Sequence, residues 1–181
     1  MDWLYEASLI VIIVAIAVFM LVMAIHGYFM VRNRVPYVRL PEGALPEVVR
    51  ELDVKALDNV IDLGAGDGQV LAALQKYCPE ASYIGYENNL IVWAKSKWRT
   101  PRGIELVRGE IAAADISAAS KVFVYLGPKL MAELEPRLQA ELPAGARVVS
   151  AQFPLPNRRP DKIVTLGNSA SRATCLYVYN Y

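Results

Sequence analysis

Seventeen consecutive apolar residues, Leu9 to Ile25, stand near the head of the chain; beyond them apolar positions fall into short runs of two different periods. With His26 and Gly27 tolerated, the first stretch extends to Val31, and its 23 residues would form a helix about 35 Å long. That length spans a hydrocarbon core of about 30 Å with some tilt. Trp3 and Tyr5 on one side and Tyr28 on the other are placed like interfacial aromatics. A cleaved signal peptide would have a basic start, a shorter apolar core and a small-residue cleavage site, whereas this N-terminus carries Asp2 and Glu6. The pattern therefore predicts a transmembrane anchor over residues 1–34, in contact with lipid through residues 8–31.

After the anchor, Pro36, Pro41 and Pro46 mark an extended linker leading into an amphipathic helix over Pro46–Leu52. Strand and helix patterns then alternate. Strands are predicted at Asn59–Leu63, Ser82–Glu87, Ile104–Val107, Lys121–Leu126 and Ala146–Phe153. The helices between them are predicted at Gly68–Tyr77, Asn89–Arg99 and Pro128–Leu142. Lys162–Leu166 and Thr174–Tyr179 read as a hairpin pair around a Gly/Asn/Ser turn. Strands alternating with helices of this length imply right-handed βαβ units: an α/β domain over residues 35–181, with a mostly parallel sheet and an antiparallel hairpin at one edge.

Composition adds charge and excludes some chemistry. All 19 Lys and Arg lie beyond position 31, against 16 acids there, so the domain is mildly basic. This suits an anionic membrane surface and falls short of a nucleic-acid-binding signature. Arg32, Arg34 and Arg39 follow the apolar stretch and no cation precedes it, which places the domain in the cytoplasm on a single-pass protein. His26 is the one histidine, so a histidine-dependent hydrolase or a His-based metal site in the domain is ruled out. Cys78 and Cys175 stand far apart and outside any CxxC pattern; neither a disulfide framework nor a metal site is expected.

The densest local signal is Asp62-Leu63-Gly64-Ala65-Gly66-Asp67-Gly68, at a strand-to-helix junction. Gly64, Gly66 and Gly68 permit positive φ and close approach of a ligand to the backbone, Ala65 included, and the helix start offers free N–H donors. Glu87 ends the second strand, where an acid can accept hydrogen bonds from both ribose hydroxyls of an adenosine. The glycines fall as GxGxG, not as the GxGxxG of a dinucleotide site. Asp62 would also repel a pyrophosphate but suits a cationic ligand with an amino-acid tail. Together these features predict S-adenosyl-L-methionine as the cofactor.

At this point the chain resembles the class I S-adenosylmethionine-dependent methyltransferases, a Rossmann-like fold. More narrowly, it is similar to the group holding the ATP-synthase c-subunit lysine methyltransferase and its prokaryotic relatives. The resemblance covers about Val35 to Tyr181. It rests on VPYV (Val35–Val38), DLGAGDG (Asp62–Gly68), GYE (Gly85–Glu87), VYLGPKLM (Val124–Met131) and VVSAQFPLP (Val148–Pro156). The chain departs from the group's pattern at Arg39 and Leu40, where a Ser or Thr is common, and at Ala151 and Gln152, where a His/Tyr-Asp pair is common.

The resemblance implies that Glu110, after the third strand, accepts from the adenine amino group. It puts Tyr125, Leu126 and Pro128 where the reactive methyl group should lie, with Tyr125 and Pro128 shaping the acceptor site, and it lets Tyr37 fold over the cofactor. The expected function is protein-lysine methylation of a membrane-associated protein, with no nucleic-acid partner. Two alternatives stay open: a methyltransferase for a lipid or quinone-like small molecule, and a non-catalytic cofactor-binding module of a membrane complex.

Overall fold

The computed structural model describes residues 2–32, 38–166 and 175–181. It divides the chain into two compact units, Met1–Pro36 and Tyr37–Tyr181. In the first unit, α1 (Asp2–Arg32) is a continuous helix. It reaches beyond the apolar run at its front because Trp3, Leu4, Glu6 and Ala7 carry no helix breaker. From Glu6 to Ala24 it is long and apolar enough to cross a membrane, and its side chains over that span are exposed.

The second unit opens with a 3-10 turn at Glu42–Ala44 and α2 (Leu45–Leu52). The expected extended linker is therefore only partly extended. Leu40, Ala44, Val48 and Leu52 recur at four-residue spacing and all are buried, so this segment folds onto the core. There follow β1 (Asn59–Leu63), α3 (Gln69–Tyr77), β2 (Ser82–Glu87), α4 (Leu90–Arg99) and β3 (Ile104–Arg108). The chain then continues through β4 (Lys121–Val124), α5 (Pro128–Glu141), β5 (Arg147–Ala151), β6 (Lys162–Thr165) and β7 (Cys175–Asn180).

The seven strands form one sheet in the order β3-β2-β1-β4-β5-β7-β6. The first five are parallel; β7 runs antiparallel to both β5 and β6. This is the Rossmann-like methyltransferase fold with its antiparallel C-terminal pair. Each face of the sheet is covered. Phe123 of β4 points into a core with Val48 and Leu52 of α2 and Leu71 and Leu74 of α3. Its neighbours Val122 and Val124 point the other way, to Met131, Leu134 and Leu138 of α5. That opposition is the period of two of a strand with both faces buried.

The exposed edge strand β6 is held by Lys162, whose ammonium lies 2.8 Å from both oxygens of Glu51, a buried residue of α2. The order reverses between β1 and β4: the chain leaves β1 toward one edge through β2 and β3, then returns beside β1. Sheets wound this way leave a crevice at the carboxyl ends of the two strands at the reversal.

Candidate active site

The glycine loop fills that crevice from the β1 side. Gly64, Gly66 and Gly68 have φ of 91°, 56° and 76°, so every second residue adopts a left-handed backbone, which L side chains resist. The alternating spacing of the motif has this as its cause. At Gly68 there is also no room for a side chain: an added Cβ would stand 2.6 Å from the Thr100 hydroxyl. The loop is pinned to β2 through the N–H groups of Gly64 and Ala65, which both donate to the Tyr86 carbonyl at 2.9 Å.

Glu87 is part of this structure. One of its carboxylate oxygens accepts from the Gly66 N–H at 2.9 Å, and the other from the Asn89 N–H at 2.7 Å. Its negative charge thus sits over the loop before any ligand arrives. Glu110 follows β3, whose Arg108 pairs with Glu87 in register, so the two acids end neighbouring strands. It is exposed and precedes a short 3-10 turn.

Asp62, at the end of β1, is buried. Among the described residues neither a cation nor a hydrogen-bond donor reaches its carboxyl group. Burial above all, then the charges of Glu87 and Asp67, push its pKa up to about 8. An ionised carboxylate is unfavourable there unless a cation is brought to it.

The cleft itself is lined by polar and glycine-loop residues, Asp62, Gly64, Ala65, Asp67 and Gln69, and by the larger side chains of Val38, Leu40, Val70, Phe123 and Tyr125. Asp67 is paired with Arg39 at 3.1 Å. Gln69 donates from Nε2 to the Leu40 carbonyl at 2.8 Å, while its Oε1 is buried without a hydrogen-bond partner among the described residues. Tyr125 is half-buried beyond β4, and the next residue, Leu126, packs against Gly64.

Of the residues expected to act, Asp62, Gly64, Ala65 and Tyr125 line the cleft together; Gly66, Gly68, Glu87 and Glu110 are not in its lining, though Glu87 is tied to the glycine loop through the Gly66 N–H. Pro128 is exposed in the first turn of α5 and does not line the cleft. Tyr37 lies outside the described residues. Sequence reading missed Val38, Leu40, Asp67, Gln69, Val70 and Phe123 as cleft residues. Asp67 and Gln69 carried a signal, being polar positions inside and directly after the glycine loop. Phe123 carried none, since an apolar residue in a strand reads as core.

A cleft that brings a buried carboxyl, a glycine loop and apolar side chains together fits a ligand with a cationic tail and a nucleoside. Fold and site define a class I S-adenosylmethionine-dependent methyltransferase domain. The ANTKMT methyltransferase domain model matches residues 62–162, more than half of the chain, and the chain belongs to that family. It is 35% identical to the mouse adenine nucleotide translocase lysine N-methyltransferase over 75% of this chain and 61% of that protein. With the Xenopus laevis lysine N-methyltransferase of the ATP synthase c-subunit it shares 33% identity over 71% of this chain and 58% of that one. The chain therefore spans about three fifths of the length of these two relatives.

A Saccharolobus islandicus protein-lysine N-methyltransferase is 29% identical over 80% of this chain and 92% of its own length. Among solved structures, a Salinibacter ruber RNA methyltransferase in complex with S-adenosyl-L-homocysteine superposes with a TM-score of 0.72 at 27% identity. The match covers 79% of this chain and 93% of that one.

Replacing Glu87 by Ala should weaken adenosylmethionine binding at least tenfold, because a charge-assisted hydrogen bond contributes about 1.5–3 kcal/mol. Calorimetric titration reads this directly. Unchanged affinity would mean that Glu87 serves only to hold Gly66 and Asn89.

Proposed function

We propose that this chain is a protein-lysine N-methyltransferase held at a membrane by residues 1–34, with a catalytic domain over residues 35–181 on the cytoplasmic side. Its substrate is a lysine of a membrane-associated protein. The lysine reading is supported above all by the Saccharolobus protein-lysine N-methyltransferase, nearly all of whose length has its counterpart here. The anchor reading is supported by α1, whose span from Glu6 to Ala24 presents apolar side chains outward. Holding enzyme and target on one surface raises their effective concentration without any added contact.

In this reading Asp62, Gly64, Ala65, Gly66, Gly68 and Glu87 hold the donor, with Glu110 at the adenine end and Tyr37 closing from the linker. When bound, adenosylmethionine supplies an electrophilic methyl group on a sulfonium. The chain's own contribution is position and surroundings. Glu87, already fixed by two backbone N–H groups, needs no reordering to accept from a ribose. Asp62 gives a buried carboxyl that ionises against a positive tail.

Val38, Leu40, Phe123 and Tyr125 add larger, mostly apolar side chains to the lining of the cleft. A lysine side chain entering there loses solvation, which favours its neutral, nucleophilic form over the ammonium with its ordinary pKa of about 10.4. Tyr125 borders the acceptor side, and Pro128 fixes the start of α5 behind it.

A second reading, methylation of RNA, is favoured by the Salinibacter structure. Membranes incubated with the full chain and methyl-labelled adenosylmethionine separate the two. Label in a protein band that hydrolyses to methyllysine is the expected result. Label in the RNA fraction or the lipid extract would overturn the lysine reading, and label nowhere would leave a binding module.

A further inference from the structure

The surface of α4 does not behave like that of an ordinary covering helix. Ser96 is its only fully buried residue. Of its two tryptophans, Trp93 packs inward and donates from its indole to the Leu106 carbonyl at 3.0 Å. Trp98, by contrast, is 92% exposed, and Ile91 is 61% exposed. At 100° per residue, Ile91, Lys95, Trp98 and Arg99 fall on one side of the helix, at positions i, i+4, i+7 and i+8. Lys95 and Arg99 are exposed as well, Arg102 follows directly, and α4 contains no acid. A large apolar ring between exposed cations, with nothing of opposite charge on the helix, is costly to leave in water. It is the composition of a helix that lies in a headgroup layer.

The location of this stripe narrows the choice of partner. The C-cap of α4 is Thr100, whose hydroxyl stands 2.6 Å from where a Cβ on Gly68 would lie, so it neighbours the glycine loop. Gly68 is flanked by Asp67, which Arg39 grips, and by Gln69, which holds the Leu40 carbonyl. The cationic, aromatic end of α4 is thus joined through two residues to the first described residues of the domain. Val38 follows the end of α1 at Arg32 by six positions, and that much chain reaches at most about 20 Å.

We propose that the exposed stripe of α4 rests on anionic lipid headgroups, with Trp98 in the interface and Lys95 and Arg99 on phosphates. The domain is thereby oriented on the bilayer as well as tethered to it. This rests on the anchor reading above. Each cation near an anionic surface contributes about 1 kcal/mol, or roughly fivefold in affinity.

The test uses the full chain in lipid nanodiscs of phosphatidylcholine alone and of phosphatidylcholine mixed with phosphatidylglycerol. Retention by the neutral discs reads the anchor; the difference between the two discs reads α4. Amide hydrogen exchange over residues 90–99 should slow about fivefold or more in the anionic discs. The double variant Lys95→Glu/Arg99→Glu should abolish that slowing while exchange in β1 and β4 stays unchanged. Equal exchange in both discs, slowing that survives in the double variant, or slowing that appears only when RNA is added would each overturn the proposal and leave the anchor standing. A chain retained by neither disc would remove both.

Discussion

Asp62→Asn is expected to make the empty protein more resistant to heat at pH 8 while weakening its affinity for adenosylmethionine about ten- to a hundredfold. Both effects come from one buried carboxyl group. With its pKa pushed up to about 8 by burial and by the neighbouring Glu87 and Asp67, Asp62 is protonated in the empty fold at neutral pH. In the unfolded chain it titrates near its ordinary value of about 3.9. Such a group favours the fold only while it holds its proton. Its contribution is greatest below the unfolded value and declines through the window from about 4 to about 8, by at most about 1.4 kcal/mol per pH unit.

Asn has the same shape, carries no charge and has no such slope. The melting temperature of the variant should therefore overtake that of the parent by several degrees as pH is raised toward 8. The donor reverses the balance. A cationic tail beside Asp62 favours the carboxylate, so binding should release a proton below pH 8 and should tighten as pH rises toward that value. Losing a charge-assisted hydrogen bond in a buried site removes about 1.5–3 kcal/mol, ten- to a hundredfold in affinity. Thermal melts across pH, with and without donor, together with titrations in buffers of different ionisation enthalpy, read all three effects. If the variant binds donor like the parent with no change in proton release, Asp62 is not the group that meets the tail.

How much of this could be read from the chain follows from which interactions are local. β1 and β2 begin and end where the sequence pattern places them, because Val60–Leu63 and Tyr83 supply a buried run bounded by turns. The glycine loop was equally legible, since a left-handed backbone at alternate positions leaves few choices of residue. β4 and β5 came out shorter than expected. Tyr125 and Leu126 are apolar because they line the cleft and pack on the loop, not because they pair, and apolar character alone does not separate these roles.

The path of Val38 to Ala44 was read as linker from its prolines. What folds it inward is Gln69 and Asp67, some thirty residues away, and no local pattern announces such a bond. The hairpin pairing of β6 with β7 was expected, but the insertion of β7 beside β5 is a matter of long-range register. The Gly/Asn/Ser turn between them lies outside the described residues.

Gly85 shows how closely fold and site are joined, and Gly85→Ala should damage both. A Cβ there would lie 2.7 Å from the Ala65 Cβ, 2.8 Å from Leu71 Cδ1 and 2.9 Å from Leu106 Cδ2. The two leucine tips could rotate away, but each is buried in the same packed layer. The Ala65 methyl cannot rotate away, because its position is that of the glycine-loop backbone, tied to the Tyr86 carbonyl one residue from Gly85. Relief therefore requires the loop and β2 to separate.

Overpacking of this kind costs about 3 kcal/mol, near the upper end of the usual range, which for a domain of this size is a fall of about 10 °C in melting temperature. Donor affinity should fall with it, since the displaced loop carries Gly64 and Gly66 away from Glu87. Gly43→Ala is the matched control: nothing lies within 4 Å of its added Cβ and its φ is not positive, so its stability should stay within about 0.5 kcal/mol of the parent. Denaturant melts and donor titration on the two variants give the comparison. A Gly85→Ala protein as stable and as tight-binding as the Gly43→Ala control would mean that the loop floats free of β2. The positioning assigned to Glu87 would then lose its support.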